Sequence, residues 1–382
     1  MGSKEDKYLD QLRARYREAS KKERTAILDE YVKTTGYHRK HATRVLGDTP
    51  ARSDGPVRRS RKRIYGVEEA QALLTLTELF DGICAKLLRA ALDVELPGLY
   101  AAGHLQVSPQ CYEKLQRISP ATIDRLLHKY RPVIGKSRGF TEPGTLLKHQ
   151  IPIRTWADWT EDRPGFCELD LVDHSGGRLI RGADHAWTLD FTDVHTGWTE
   201  CVAVRNKAQV HVFAAIQHAR GRLPFPLLGI DCDNGSEFIN DQLYRYCMKE
   251  HITFTRGRVG HKNDNAHVEQ TNWRGVRQEV GYYRYDTPQQ LDLLNRLYAV
   301  RHFYSNFFLP TMRLQDKIRE GSKVRKKYDT PKTPYARVLT SPHVAEEYQL
   351  QMQETYTLLD LTDLHTQLTS LYRQLLQTVS TL

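Results

Sequence analysis

Between residues 156 and 282, short apolar runs and amphipathic stretches follow one another in an order that limits the possible folds. Three apolar runs come first, separated by glycine-containing turns, and this spacing predicts three hairpin-linked strands. The predicted strands are at 166–172, 186–192, 198–204, 227–232 and 252–255, and the predicted helices are at 207–220, 240–250 and 264–280. The resulting order, β-β-β-α-β-α-β-α, predicts an α/β core built on a mixed sheet.

This element order is that of the ribonuclease-H-like fold, and three acidic residues lie where such a core would hold ligands. Asp170 is in the middle of the first strand between two leucines, where a buried charge is costly unless it binds a cation. Asp233 follows an apolar strand at its carboxyl end, the edge at which α/β sheets bind ligands. The Asn234-Gly235 step then bends the chain away. Glu269 falls in the first turns of the long helix.

Convergent carboxylates of this kind suit hard cations such as Mg²⁺ or Mn²⁺. Two such ions about 4 Å apart can activate the attacking oxygen and stabilise the leaving oxygen in phosphoryl transfer. Alone, Asp233 could be a turn residue and Glu269 a solvated helix residue, but the set at these positions favours a metal site. The acids that compete for the assignment are Asp173, Asp190, Asp193 and Asp231.

The acids and their spacing resemble a known family, the DDE catalytic core of retroviral integrases and integrase-type insertion-sequence transposases. Asp233 opens the motif Asp-Asn-Gly-Ser-Glu-Phe, and 35 residues separate it from Glu269, the separation behind the label DD35E. Residues 304–310 are similar to the segment that follows the core in bacterial members. The resemblance covers about residues 160–335.

The resemblance implies that Asp170, Asp233 and Glu269 are the catalytic metal ligands and that the cofactor is Mg²⁺ or Mn²⁺, as two ions. It implies a DNA transposase that cleaves the 3′ ends of a transposon and joins the freed 3′-hydroxyl to target DNA, in a homo-multimer that synapses two ends. Two other hypotheses are a ribonuclease-H-like nuclease without strand transfer and a domesticated DNA-binding regulator. The intact acid triad argues against the regulator.

The sequence also departs from the family pattern. The His-His-Cys-Cys zinc module of retroviral integrases is absent, so we predict no zinc. Basic residues are frequent in the family four and seven positions after the catalytic glutamate, where this chain has Trp273 and Val276. We expect Arg274 and Arg277 on the same helix to supply phosphate contacts instead.

Basic residues are concentrated near the N-terminus. The chain carries a net charge of +10, and residues 1–65 hold 18 Lys and Arg against 9 Asp and Glu, which favours a polyanionic partner over a merely soluble basic surface. In residues 1–50, two helices at 22–32 and 38–46 flank a Thr35-Gly36 turn, the helix-turn-helix pattern; a plain helical hairpin is the other interpretation.

The predicted contacts to double-stranded DNA occur in three parts of the chain. They are Arg39, Lys40, Thr43 and Arg44 on the second helix, Arg61, Lys62 and Arg63 in a basic linker at 51–65, Lys262 and Asn263 in the loop before Glu269, and Arg274 and Arg277 after it.

The rest of the chain is divided as follows. Residues 66–135 are predicted to form a second helical block, either a further DNA-binding module or packing helices. Residues 136–155 are predicted to be a linker. The integrase-type core occupies 156–310, and residues 311–382 are predicted to form a basic segment, irregular at 319–337, and a terminal helix. On that helix a heptad seam suits packing within the chain or self-association; its members are Leu361, Leu364, Leu368, Leu371 and Leu375.

Composition sets further expectations. The sequence contains no run of eighteen apolar residues, so no transmembrane helix is predicted. The N-terminus has no signal-peptide pattern. Six cysteines are scattered singly, without a Cys-x-x-Cys pair, which argues against a disulfide framework and a cysteine-based zinc site. We therefore expect a cytoplasmic protein, associated with the nucleoid of a prokaryote, without a membrane partner.

Overall fold

The computed structural model describes residues 4–47, 64–128, 162–177, 184–257, 272–320 and 323–379. The chain forms two compact units, Met1–Ile64 and Tyr65–Leu382. Within the described ranges, no helix combines the length and the apolar character needed to cross a membrane.

The first unit is a three-helix unit: α1 (Lys4–Glu18), α2 (Lys21–Thr35) and α3 (Arg39–Leu46). Ser20 and Glu23 form a capping box at the start of α2, and Gly36, with a φ of 71°, ends that helix in the left-handed conformation that glycine adopts readily. The apolar core of the unit consists of Leu12, Ile27, Leu28, Tyr31, Ala42 and Leu46. The predicted helix pair is thus present as α2 and α3, and α1 completes its core.

The second unit is built around a five-stranded mixed sheet. Its strands are β1 (Phe166–Asp173), β2 (Trp187–Asp193), β3 (Thr199–Val204), β4 (Gly229–Cys232) and β5 (Thr253–Arg256), in the order β3-β2-β1-β4-β5. The three strands β1 to β3 are antiparallel, whereas β4 and β5 run parallel to β1. The crossover helices are α8 (Gln209–Arg220) and α9 (Asp241–Lys249). This order and these directions confirm the α/β, ribonuclease-H-like fold.

The predicted long helix at 264–280 lies partly outside the described residues. The part that is described begins as a π-helical turn, Asn272–Arg277, and continues as the short helix α10 (Gln278–Val280). The next helix, α11 (Pro288–Phe303), also passes into a π-helical turn at Tyr304–Phe308. Apolar periodicity indicates that a segment is helical, but it does not distinguish these wider turns from a regular α-helix.

Four helices precede the sheet in the second unit: α4 (Val67–Leu79), α5 (Ala85–Ala101), α6 (Pro109–Gln116) and α7 (Pro120–Leu127). Their buried side chains belong to the same apolar core as those of the sheet. The buried guanidinium of Arg301 on α11 adds a polar tie, because it lies 3.0 Å from Asp81 after α4 and also pairs with Glu279 of α10. These helices therefore pack against the core, and a role for them in binding DNA stays a hypothesis.

The prediction of an irregular segment at 319–337 is wrong. Strands β6 (Leu314–Glu320) and β7 (Lys323–Tyr328) form an antiparallel hairpin, and the short helix α12 (Pro334–Leu339) follows it. Side chains alternate between the two faces of this hairpin, as in any strand, but most of them are charged. A search for alternating apolar residues therefore passes over it.

Two helices end the described chain, α13 (Glu346–Leu358) and α14 (Leu361–Gln377). The five leucines of the heptad seam are all buried on α14. They belong to the main apolar core, and α14 packs against α11. Of the two interpretations of the seam, the structure shows packing within the chain.

Candidate active site

The register between β1 and β4 brings two of the predicted acids together. The two strands are parallel, and Leu169 is paired with Cys232. The residues that follow them are Asp170 and Asp233, so the acids are neighbours where β4 ends, at the centre of the sheet. Both are half-buried. The third predicted acid, Glu269, lies outside the described residues.

The turn after β4 holds Asp233 in place through short hydrogen bonds. The backbone N–H of Gly235 donates to Oδ1 of Asp233 at 2.8 Å, a local bond that is typical of aspartate in turns. The side chain of Asn234 donates to the carbonyl of Gly257 at 2.8 Å and accepts from the guanidinium of Arg256, also at 2.8 Å. Sequence reasoning recognised the turn but missed these contacts to the end of β5.

Asp170 is oriented by a residue that the sequence analysis did not single out. The side-chain amide of Asn272 donates to Oδ2 of Asp170 at 2.6 Å, and the backbone N–H of Leu171 donates to Oδ1 at 2.8 Å. Asn272 opens the π-helical turn and follows Glu269 by three residues. That spacing, one turn of helix, was the available signal.

Two competing acids share the sheet face of Asp170 but are buried. Asp190 is paired with Asp170 across the β1–β2 ladder, and it accepts a hydrogen bond of 2.7 Å from Thr192. Asp231 accepts from Thr255. Burial raises the pKa of Asp190 well above its usual range, and the negative charge of Asp170 raises it further. Burial thus disfavours the ionised form of Asp190, which is the form that binds a metal ion.

The other two competing acids lie on the opposite face of the sheet and support local structure. Asp173 accepts hydrogen bonds from the backbone and the hydroxyl of Ser175, at 2.9 and 2.7 Å. Asp193 accepts from the backbone of Gly165 at 2.8 Å and of Thr196 at 2.7 Å. Burial raises the pKa of Asp193 to about 6. Both acids are thus accounted for by the folding of the turns around them.

One of the predicted phosphate-binding arginines interacts electrostatically with Asp170. Arg277 is half-buried, and its guanidinium carbon lies 4.7 Å from the ring centroid of Tyr282. Burial lowers the pKa of Arg277, and the charges of Asp173 and Asp170 act in the opposite direction. Arg274 belongs to the π-helical turn, but its side chain, like the whole of Lys262 and Asn263, lies outside the described residues.

The predicted recognition helix presents its polar residues to solvent. All four of the predicted DNA contacts on α3 are exposed: Arg39, Lys40, Thr43 and Arg44. Arg39 pairs with Asp29 of α2, and Arg44 donates to Nδ1 of His41 at 2.9 Å. The linker residues Arg61, Lys62 and Arg63 lie outside the described residues.

A second group of possible metal ligands occurs among the described residues, formed by Glu68, Glu69 and Cys111. Glu68 accepts a hydrogen bond of 2.7 Å from the backbone of Ser108, and Glu69 binds the ammonium of Lys114 at 2.6 Å. Burial, with the charges of the two glutamates, raises the pKa of the Cys111 thiol to about 11. A protonated thiol is a poor metal ligand, so these contacts explain the group without a cation.

The strand order, the register and the position of the acids define the class: an α/β protein whose ribonuclease-H-like sheet carries a pair of neighbouring, half-exposed aspartates at its centre. The chain is 41% identical over 324 residues to a protein of Sinorhizobium fredii (strain NBRC 101917 / NGR234), "Uncharacterized protein y4rM", and the match covers 85% of this chain and 91% of that protein. The chain belongs to the same family as y4rM. No protein-family model matches it.

Several solved structures of integrases are similar to the chain at low identity. The catalytic core of HTLV-2 integrase in complex with magnesium (dimeric form) is 16% identical, covers 39% of this chain and 90% of its own, and gives a TM-score of 0.29. The catalytic core of BIV integrase is 16% identical, covers 50% of this chain and 98% of its own, and gives a TM-score of 0.27. The simian T-cell lymphotropic virus intasome with PP2A regulatory subunit B56 gamma is 15% identical, covers 65% of this chain and 76% of its own, and gives a TM-score of 0.32. At this level of similarity, the strand order and register of the chain itself define the fold.

Proposed function

We propose that this protein is a DNA transposase with an integrase-type core, a metal-dependent polynucleotidyl transferase whose ligands are Asp170, Asp233 and Glu269. One observation carries the proposal: the pairing of Leu169 with Cys232 makes Asp170 and Asp233 neighbours at the centre of a ribonuclease-H-like sheet. The competing acids on the same face are buried. A cation from solvent therefore meets this pair first.

Glu269 is proposed as the third ligand because of its distance along the chain from Asn272. Asn272 donates a hydrogen bond to Asp170 and follows Glu269 by three residues. Three residues of chain span at most about 11 Å. This short separation along the chain supports the assignment of Glu269.

The donor set suits a hard divalent cation. Asp170 and Asp233 offer half-exposed carboxylate oxygens, the ligands that Mg²⁺ and Mn²⁺ prefer. Bound here, two such ions would supply Lewis-acid activation of the attacking oxygen and stabilisation of the leaving one. Burial disfavours a negative charge on Asp190 beside the pair.

The residues of the chain would position this chemistry. Asn272 and the backbone N–H of Leu171 donate to the two carboxylate oxygens of Asp170, and Gly235 donates to Oδ1 of Asp233. These bonds fix the orientation of both carboxylates. Arg277 supplies a positive charge near the acids for a phosphate oxygen of DNA. We propose two in-line transfers at this site, first with water and then with the freed 3′-hydroxyl as nucleophile, without a covalent protein intermediate.

DNA recognition is assigned to the first unit. The exposed face of α3, with Arg39, Lys40, Thr43 and Arg44, would enter the major groove at the ends of the element. The other predicted contacts, Arg61, Lys62, Arg63, Lys262, Asn263 and Arg274, would bind phosphates. Because two ends must be joined in one reaction, we propose that a homo-multimer carries it out.

A strand-transfer assay tests the function. Fluorescent duplexes taken from the DNA that flanks the gene, with recessed 3′-hydroxyl ends, are incubated with the protein, Mn²⁺ or Mg²⁺ and a supercoiled plasmid. The proposal predicts label joined covalently to the plasmid, and no joining by the Asp233→Ala protein, which should still bind the duplexes. Asp292→Ala, a change of an exposed acid on α11, is the matched control and should join normally.

The same assay separates the proposal from its rivals. Nicked plasmid without any labelled product identifies a nuclease that does not transfer strands. Specific binding with neither nicking nor joining in either metal identifies a DNA-binding regulator. Full activity of Asp233→Ala contradicts the site assignment.

A further inference from the structure

The hairpin formed by β6 and β7, residues 314–328, is here called the basic ribbon. It carries six Lys and Arg against two acidic residues, a net charge of +4 over fifteen residues. Ile318 and Tyr328 are 51% and 39% exposed, so these apolar side chains do not anchor it to a core. An isolated two-stranded hairpin is only marginally stable in water. A ribbon with this composition is suited to a partner that neutralises charge.

The base of the basic ribbon is firmly attached to the second unit. Arg313 and Asp329 exchange hydrogen bonds, from N–H of Arg313 to Oδ1 of Asp329 at 2.6 Å and from N–H of Asp329 to the carbonyl of Arg313 at 2.9 Å. The buried guanidinium of Arg337 binds Oδ2 of Asp329 at 2.9 Å and the carbonyl of Thr311 at 3.0 Å. The basic ribbon is therefore an arm with a fixed root, whose orientation is set before any partner binds.

Its charges are divided unequally between its two faces. Alternation along the strands places Lys317, Arg319 and Lys326 on one face, on which no acidic residue of the ribbon falls, and the register pairs Lys317 directly with Lys326. Like charges at directly opposed positions destabilise an antiparallel pair. A polyanion bound along this face would remove that repulsion.

We propose that the basic ribbon binds the phosphate backbone of duplex DNA, independently of sequence and separately from α3. A two-stranded ribbon fits the width of a major groove, and ammonium groups spaced along it can each release a condensed counterion. Lys317 and Lys326, the directly paired lysines of this face, lead this contact. The inference rests on the proposed function, because it takes DNA as the substrate. It adds a second, non-specific contact of the kind that a target without a fixed sequence requires.

The test uses the full chain with the double variant Lys317→Ala/Lys326→Ala. Its affinity for a random-sequence 30-base-pair duplex is measured by fluorescence anisotropy over a series of salt concentrations. Two lost phosphate contacts predict a salt slope smaller by about 1.8 and binding weaker by on the order of tenfold or more at low salt. Lys86→Ala/Lys249→Ala removes the same charge from two exposed positions elsewhere in the second unit, and should leave both quantities unchanged.

Further measurements make each outcome decisive. Lys317→Arg/Lys326→Arg keeps the charge and should bind like the parent. Unchanged thermal melting of the alanine variant excludes a folding defect. Equal losses in the ribbon variant and the control variant would overturn the proposal, as would binding to phosphatidylserine vesicles without binding to the duplex. If the ribbon contact is found but strand transfer is not, the proposed function fails and the ribbon assignment stands. Normal strand transfer without a ribbon contact refutes the ribbon assignment and leaves the proposed function intact.

Discussion

The side-chain amide of Asn272 donates a hydrogen bond of 2.6 Å to Oδ2 of Asp170, across 102 residues of sequence. The bond links the central strand of the sheet to the segment that follows Glu269. The bond restricts the orientation of the carboxylate of Asp170, and it places the middle of the helix predicted at 264–280 beside that carboxylate. Asn272 is therefore a positioning residue in the proposed site.

Asn272→Ala should weaken the response to metal rather than the fold. Loss of a hydrogen bond that orients a metal ligand lowers metal affinity or activity by about 10- to 100-fold. We expect the Mn²⁺ concentration for half-maximal strand transfer to rise by a similar factor, with thermal stability nearly unchanged. Gln278→Ala is the control, because its amide contacts the carbonyl of Asp81 instead. Equal metal dependence in the two variants would remove Asn272 from the site.

Much of this arrangement follows from the sequence, because local patterns encode it. The apolar runs predicted the strands in the right order, and the turn at Asn234-Gly235 marked Asp233 as the acid at a strand end. The sequence favours Asp170 and leaves Asp190 as a competitor. The two acids are direct cross-strand partners, and the difference in burial that favours Asp170 arises from the packing of the whole unit. Burial is set by residues far apart in the sequence.

Hydrogen bonds between residues distant in the sequence could not be predicted, for the same physical reason. The bonds from Asn272 to Asp170 and from Arg256 to Asn234 join segments whose approach depends on the tertiary fold. The basic ribbon was missed because its alternating residues are mostly charged. Hydrophobic periodicity detects elements that bury one face, and this hairpin exposes its side chains.

A buried histidine should make the stability of the second unit depend on pH. His174 is fully buried, and its Nε2 lies 2.7 Å from Oγ1 of Thr188, which in turn lies 2.8 Å from the hydroxyl of Tyr298. Burial lowers the pKa of His174 to about 3, and the charge of Arg277 also lowers it. The folded protein therefore keeps this ring neutral at any pH above about 3.

The sign of the effect follows from the difference in proton binding. The unfolded chain takes up a proton on this histidine below about pH 6.5, and the folded chain does not until about pH 3. The contribution of the neutral His174 ring to the free energy of unfolding is therefore complete above pH 6.5. It falls by about 1.4 kcal/mol for each pH unit below that value. Relative to His174→Gln, the parent should lose roughly 2 kcal/mol of unfolding free energy between pH 6.5 and 4.5. Parallel pH profiles from urea unfolding of the two proteins would refute this.

The leucine seam of α14 should contribute to stability and not to self-association. Leu368 is buried in the main core, so Leu368→Ala should cost about 2–5 kcal/mol of unfolding free energy. Its mass by light scattering should equal that of the parent. Leu358 is 86% exposed at the end of α13, and Leu358→Ala should change stability by less than about 0.5 kcal/mol. A smaller assembly formed by Leu368→Ala at unchanged stability would instead assign the seam to a subunit interface.

The position of a bound metal ion tests the central claim most directly. Crystals of the protein soaked in Mn²⁺ and measured at the manganese absorption edge should show an anomalous difference peak in contact with the carboxylates of Asp170, Asp233 and Glu269. The peak should disappear from crystals of Asp233→Asn. The contradicting result would come from crystals of protein that is active in strand transfer. It would be a strong peak at Glu68 and Glu69 and no peak at the Asp170–Asp233 pair.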